Sequence, residues 1–207
     1  MKLILASGSQ RRRELLDMCG YDFEIEVSLA DEHIAETDPE AFVSRLAQAK
    51  AEEVFERLSG CSGAEENPPE GESSGEDIAV LGSDTIVYHN GHIIGKPADE
   101  KDAFRILSEL SGRTHEVYTG VAVITKRLRQ VECSVTRVTF EKLSREEIEK
   151  YIASGEPMDK AGAYGIQGPF GMFVEKVDGN YFTVIGLPLP TAYRMLARAG
   201  VLPRDFR

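Results

Sequence analysis

Cysteine is scarce in the 207 residues. Cys19, Cys61 and Cys133 are odd in number and share no paired spacing, which excludes a disulfide framework and a cysteine-based zinc site. A reducing, cytoplasmic compartment is the expectation. Long apolar runs are also missing, and nothing approaches the ~20 residues of a membrane-spanning helix. The opening MKLILASGSQ has a short apolar stretch that runs straight into Arg11-Arg12-Arg13, so it reads as a strand and not as a secretory leader. Basic residues are outnumbered, 24 against 35 acidic, for a net charge of −11 and a pI near 4.9. Nucleic-acid polymers reward extended basic surfaces and are excluded as partners. There is no internal repeat, and Ala6-Ser7-Gly8-Ser9 is too short for a dinucleotide fingerprint.

What is present is enough for a sizeable core: 42% of the residues are hydrophobic, with 19 Gly and 9 Pro spread along the chain. Leu3–Ala6 read as a first strand and Gln10–Met18 as a helix with Leu15, Leu16 and Met18 on its apolar side. Phe23–Val27 resume an extended pattern, and Pro39 opens a long helix to about Leu58. Residues 59–77, rich in Gly, Ser, Pro and Glu, hold six acidic and no basic residues, and are expected to be a mobile, solvated loop. Beyond it, IAVLGSDTIVY, Asn90-Gly91 and HIIG predict a hairpin. A helix from Ala98 to Leu110, strands near 115–125 and 130–140, and a helix capped by Ser144 with Glu147 follow. Phe173–Val177 and Tyr181–Ile185 predict a second hairpin across Asp178-Gly179-Asn180, and Pro190–Ala199 a last helix. Strands mixed with helices throughout define an α/β fold with a mixed sheet, in one domain spanning 1–207.

The first turn carries the clearest chemical signal. A strand, a Ser/Gly turn and a helix leave free N–H groups at the helix start, where anions bind. Ser9 is the expected N-cap. Arg11, Arg12 and Arg13 occupy the first helical turn, where the helix dipole disfavours cations by a few tenths of a kcal/mol each. An anion above them would offset that, although successive helix positions point about 100° apart and all three cannot converge. The alternative is a solvated basic patch. Asp84 interrupts an apolar run, so it is either buried with a partner or placed at a strand end facing a cleft. Glu32 follows the second strand; alone it reads as a solvated loop residue, and with Asp84 it could hold Mg²⁺. A lysine on a helix is usually surface decoration, so Lys50 by itself means little, whereas Lys96 is framed by Gly95 and Pro97. Neither Ser7 nor Ser9 has an evident base beside it, so hydrogen bonding fits them better than covalent catalysis.

Taken together, LILASGSQRRRELL, RLAQAKA, LGSDTIV, GKP, LSGRTHEVYTG, SGEPMDKAGAYGIQG and VIGLPL resemble, in order, the Maf family of nucleotide pyrophosphatases, once described as septum-formation inhibitors. The resemblance implies a Maf/inosine-triphosphatase-like fold, an elongated mixed sheet flanked by helices in two closely packed lobes, often homodimeric. It implies hydrolysis of nucleoside triphosphates to monophosphate and pyrophosphate with Mg²⁺ or Mn²⁺. The family's serine–arginine motif falls on Ser7, Ser9, Arg11 and Arg12, with Gln10 replacing the usual proline. Its glutamate falls on Glu32, its lysines on Lys50 and Lys96, its aspartate on Asp84 and its late glutamine on Gln167. Two arginines after Ser-x-Ser-x resemble the branch acting on dTTP and UTP; the branch resembling 7-methyl-GTP pyrophosphatases tends to carry tryptophan there, and this chain has none. The Gln167 amide offers a donor and an acceptor to a thymine or uracil edge; holding its own loop is the alternative. Lys160 is a further substrate-binding candidate. His115 and Thr119 lie in a matching segment, with His115 read as core. A pyrophosphatase for deaminated purines, or a nucleotide-binding regulator of cell division without turnover, are the competing readings.

Overall fold

The computed structural model describes residues 1–60 and 77–206; Cys61 and nearly all of the acidic segment lie outside them. The chain begins β1 (Lys2–Leu5), α1 (Gln10–Met18), β2 (Phe23–Ile25), α2 (Pro39–Ser59) and β3 (Ile78–His89). Strands β1, β2 and β3 are parallel in the order β2-β1-β3. The chain therefore leaves β1 to one side and returns to its other side, the switch point at which open α/β sheets form crevices.

The remainder is antiparallel. β3 turns at Asn90-Gly91, both in the left-handed region, into β4 (His92–Ile94), the geometry of a type I′ hairpin. β5 (Thr114–Ile124) pairs with the far edge of β3, followed by β6 (Arg129–Phe140) and β7 (Val174–Asp178). α3 (Glu100–Leu110) and α4 (Arg145–Ala153) lie before and after the β5–β6 hairpin, and α5 (Tyr181–Ile185) and α6 (Leu189–Arg198) close the chain. Ser144 and Glu147 form the reciprocal capping box. The mixed sheet flanked by helices follows the sequence-based expectation.

Tyr181–Ile185 is the main departure, a short helix and not the return strand of a hairpin. Tyr, Phe, Thr, Val and Ile favour strands, but the Asn180 side chain accepts the Phe182 N–H and Gly186 ends the turn in the left-handed region. Local caps here outweigh propensity. Three smaller differences follow the same logic of burial and pairing. β2 ends at Ile25, two residues early, and Met18 is exposed, leaving Leu15 and Leu16 to bury the helix. Ser9 holds the N-cap position, but its side chain makes no capping bond.

The two faces of the sheet are covered differently. α2 packs alone over Ile4, Ala6, Val80, Ala122 and Ile124. α1 and α6 cover the opposite face through Leu3, Leu5, Leu81, Val121 and Val123, and α3 and α4 cover its far end around Phe140. Each fully buried Leu, Val or Phe contributes about 1.5–3 kcal/mol. The stripe Val43, Ala47, Ala51 lies fully buried on the sheet, at the i, i+4 spacing of one helix face. Two glycines permit this approach. A Cβ on Gly82 would collide with the Ala47 carbonyl and one on Gly120 with the Val43 carbonyl.

Opposite α2, His115 is 2% exposed and its Nε2 lies 2.9 Å from the Tyr164 hydroxyl. Its ring packs edge-on to Phe140, and Nδ1 has no hydrogen-bond partner among the described residues. Burial, then the nearby His89, push its pKa down to about 3.

Two predictions follow from this packing. Gly82→Ala should destabilise the chain by about 1–3 kcal/mol, read as a lower denaturant midpoint at unchanged slope. Because the folded pKa of His115 is depressed from 6.5, the unfolded chain takes up the proton first, and stability falls as pH drops below about 6.5. The loss from this residue should be about 2 kcal/mol between pH 7 and pH 5. It should be missing from the pH profile of His115→Gln.

Candidate active site

Strand β1 bonds to β3 only as far as Leu81, and β4 takes up the same edge only from Val87. Between them β3 runs past an opening at the switch point, and a cleft of about 660 Å³ lies there. Side chains alternate along a strand. Gly82 and Asp84 therefore belong to the α2 face, and Ser83 and Thr85 to the opposite one. The opening lets groups from both faces meet.

On the α2 face, Lys50 continues the buried stripe Leu46–Lys50–Val54. It is 9% exposed, unlike the surface position usual for a lysine on a helix. An ammonium placed there has to be paired. Its Nζ lies 2.7 Å from Asp84 Oδ1 and 2.8 Å from Glu32 Oε1. The Asp84 side chain beside it is 13% exposed, while Glu32 reaches in from an exposed loop. The hydrogen bond from Lys50 holds the Glu32 carboxyl below its usual range against the opposing effect of burial, helped by the charges of Lys50, Lys96 and Arg12.

The other side is organised by Arg12. Its Nε donates to the Gly186 carbonyl at 2.8 Å, Nη1 to Ser7 Oγ at 3.0 Å and Nη2 to Thr85 Oγ1 at 3.2 Å. A guanidinium has five N–H groups, so one hydrogen on each terminal nitrogen remains without a partner among the described residues. Burial lowers its pKa, and the neighbouring Asp84 opposes the shift; arginine stays charged under such conditions. Ser7 Oγ also accepts the Ser9 N–H at 3.2 Å, which fixes the turn before α1.

Arg11 lines the same cleft and reaches Asp159 at 3.4 Å, whereas Arg13 pairs with Asp17 along its own helix. Lys160 donates to the Glu156 carbonyl at 2.6 Å and to Asp159 at 2.7 Å. Lys96 is exposed at the rim and has no hydrogen-bonding partner among the described residues. Gln167 follows in the turn closed by Gly168 N–H to the Gly165 carbonyl. Gln167 lines the cleft, and its side chain makes no bond to its own loop among the described residues. Every candidate site residue thus falls in one cleft. Sequence reasoning passed over Ser83, Thr85, Glu156 and Asp159. Hydroxyls at alternate positions 83 and 85 of an otherwise apolar strand were the available signal.

The cleft lining carries five basic and four acidic side chains in a chain of net charge −11. Basic groups therefore converge here as an anionic ligand requires. Among the described residues no group of three or more His, Cys, Asp and Glu is arranged to hold a metal. Asp84 and Glu32 nonetheless share one cation, the Lys50 ammonium. Two carboxylates with substrate oxygens suffice for a hard divalent ion, so these side chains fit one.

Fold and cleft define an α/β protein with a crevice, lined by converging basic side chains, at the switch point of its sheet. A family model for Maf-like proteins matches residues 2–199, and the chain belongs to that family. It is 47% identical over 203 residues to a dTTP/UTP pyrophosphatase of Koribacter versatilis (strain Ellin345), covering 98% of this chain and 96% of the relative. It is 44% identical over 205 residues to a dTTP/UTP pyrophosphatase of Clostridium novyi (strain NT), covering 97% and 99%. No helix among the described residues is long and apolar enough to cross a membrane.

The shared ammonium makes a direct prediction. Lys50→Met leaves Glu32 and Asp84 side by side without it. The Glu32 carboxyl, held below 4.5 in the native protein, should then titrate at or above that value in carbon-detected NMR.

Proposed function

We propose that this chain hydrolyses dTTP and UTP to the nucleoside monophosphate and pyrophosphate. The observation that carries the reading is the meeting of Arg12, with two unpaired N–H groups, and the Lys50–Asp84–Glu32 cluster across one opening. The names of the relatives reported above support the substrate class. Water attacks the α-phosphorus in line, a new P–O bond forms, and the bond to the bridging oxygen breaks as pyrophosphate leaves with the electron pair. Such barriers are mainly electrostatic, so positioned cations supply most of the rate.

Arg12 and Arg11 receive phosphate oxygens, Arg12 through a bidentate pair from its two free hydrogens. Lys96 adds a flexible charge at the rim, and Lys160 a second one once released from Asp159. Ser7 and Ser9 hold the turn and offer hydroxyls to phosphate. Asp84 orients the water and takes its proton. Glu32 and Asp84 would hold a divalent metal, with Lys50 keeping them together. Bound Mg²⁺ or Mn²⁺ would neutralise phosphate charge and acidify water. Gln167 complements the N3–H and C4 carbonyl of the pyrimidine.

A triphosphate panel assayed for monophosphate and pyrophosphate tests the proposal. dTTP and UTP should be turned over in preference to ITP and 7-methyl-GTP, and Asp84→Asn should lose about 10²–10⁴ in kcat while remaining folded. Preference for a purine substrate would overturn the pyrimidine assignment, and no turnover of any triphosphate with either metal would overturn the enzyme. Unfolding of Asp84→Asn would make that carboxylate structural.

A further inference from the structure

The Thr85 hydroxyl that receives Arg12 continues inward. Thr85 Oγ1 lies 3.0 Å from Thr119 Oγ1, and Thr119 Oγ1 donates to the Thr183 carbonyl at 2.8 Å. The direction of every bond is forced. A backbone carbonyl only accepts, so the Thr119 hydrogen points to Thr183. Thr119 must then accept from Thr85, and the Thr85 oxygen is left to accept from Arg12, which only donates. The result is a one-way chain, Arg12 N–H to Thr85 to Thr119 to Thr183 C=O. Each hydroxyl donates once and accepts once within it, and such chains polarise and strengthen their members.

Its inner end is well fixed. Thr119 is fully buried and sits on β5 opposite Thr85. The Thr183 carbonyl belongs to α5, whose last carbonyls have no helical partner. Gly186, which caps the same helix, supplies the carbonyl that receives Arg12 Nε and also accepts from Ser83 Oγ at 3.0 Å. Arg12 is therefore anchored twice to one short helix, directly at Gly186 and through two threonines at Thr183.

We propose that Thr119 is a positioning residue that orients the Arg12 guanidinium through Thr85, leaving its two unpaired N–H groups aimed into the cleft. The inference rests on the phosphate-binding role proposed for Arg12. Thr119 lies behind the site and touches no substrate. Removing its hydroxyl strands the Thr85 hydrogen and frees that hydroxyl to turn, so Arg12 Nη2 loses an ordered acceptor.

The test compares Thr119→Val, close in shape but without the hydroxyl, with Thr119→Ser, which keeps it. Each is made in the wild type and in Arg12→Lys. With dTTP, Thr119→Val should lower kcat/KM roughly tenfold, the worth of one buried hydrogen bond. Thr119→Ser should stay within about twofold of wild type. In the Arg12→Lys background Thr119→Val should cost no more than about twofold further. Equal losses in both backgrounds, or a serine variant as poor as the valine, would overturn the proposal. If Thr119→Val does not fold, Thr119→Cys, a weak donor, replaces it under the same criteria with an expected loss of about threefold. A second readout needs no turnover. Solvent exchange of the Arg12 Nη2 hydrogens in ¹⁵N spectra should be roughly tenfold faster in the valine or cysteine variant than in the wild type and the serine variant. Unchanged exchange would sink the positioning role. If no form hydrolyses dTTP while the exchange difference holds, the function reading fails and the positioning of Arg12 stands.

Discussion

Everything distinctive about this molecule depends on a strand edge left unpaired for five residues. β3 is paired with β5 without interruption from Val80 to Tyr88, yet on its other side β1 stops at Leu81 and β4 starts at Val87. A continuous sheet would separate its two faces completely. The interruption makes the sheet locally porous, so an ammonium from α2 and a guanidinium from α1 approach the same space from opposite layers. Exposed strand edges are usually a liability. Here side chains from both faces occupy it, with Ser83, Asp84 and Thr85 alternating between them.

The electrostatic arrangement suits a small anion better than a large one. An acidic exterior repels polyanions at a distance, while the few cations that matter are held in a recess by partners that already define their geometry. Lys50 has two carboxylates and Arg12 has three acceptors. Neither is a floppy surface charge, and little order remains to be imposed when a ligand arrives.

Much of this was legible in the sequence. The strand–turn–helix at Ser7–Arg12, the Asn90-Gly91 turn and the Ser144–Glu147 box are local signals, and local chemistry decides them. Asp84 stood out because a carboxylate inside an apolar run needs a reason. The family resemblance, carried by seven ordered segments, supplied the remaining site positions. What single residues did not disclose was of another kind. Lys50 looks like a surface lysine until the Leu46–Lys50–Val54 stripe is seen to face inward, and burial is a property of the docked helix. Tyr181–Ile185 has the composition of a strand, and its helix depends on caps at Asn180 and Gly186. Thr119 carried no legible role, because its meaning comes from neighbours 34 and 64 residues away in sequence.

The glycines beneath α2 carry one last implication. At Gly82 and Gly120 the helix rests on the sheet main chain to main chain, with no side-chain layer between. A layer of side chains can repack, absorb a methyl group or creep with temperature, but two polypeptide backbones in contact have no such play. The contact works as a mechanical datum from which the height of α2 is set. Substitutions elsewhere along the helix can accumulate without lifting the Lys50 ammonium off Asp84, so long as those two positions stay bare.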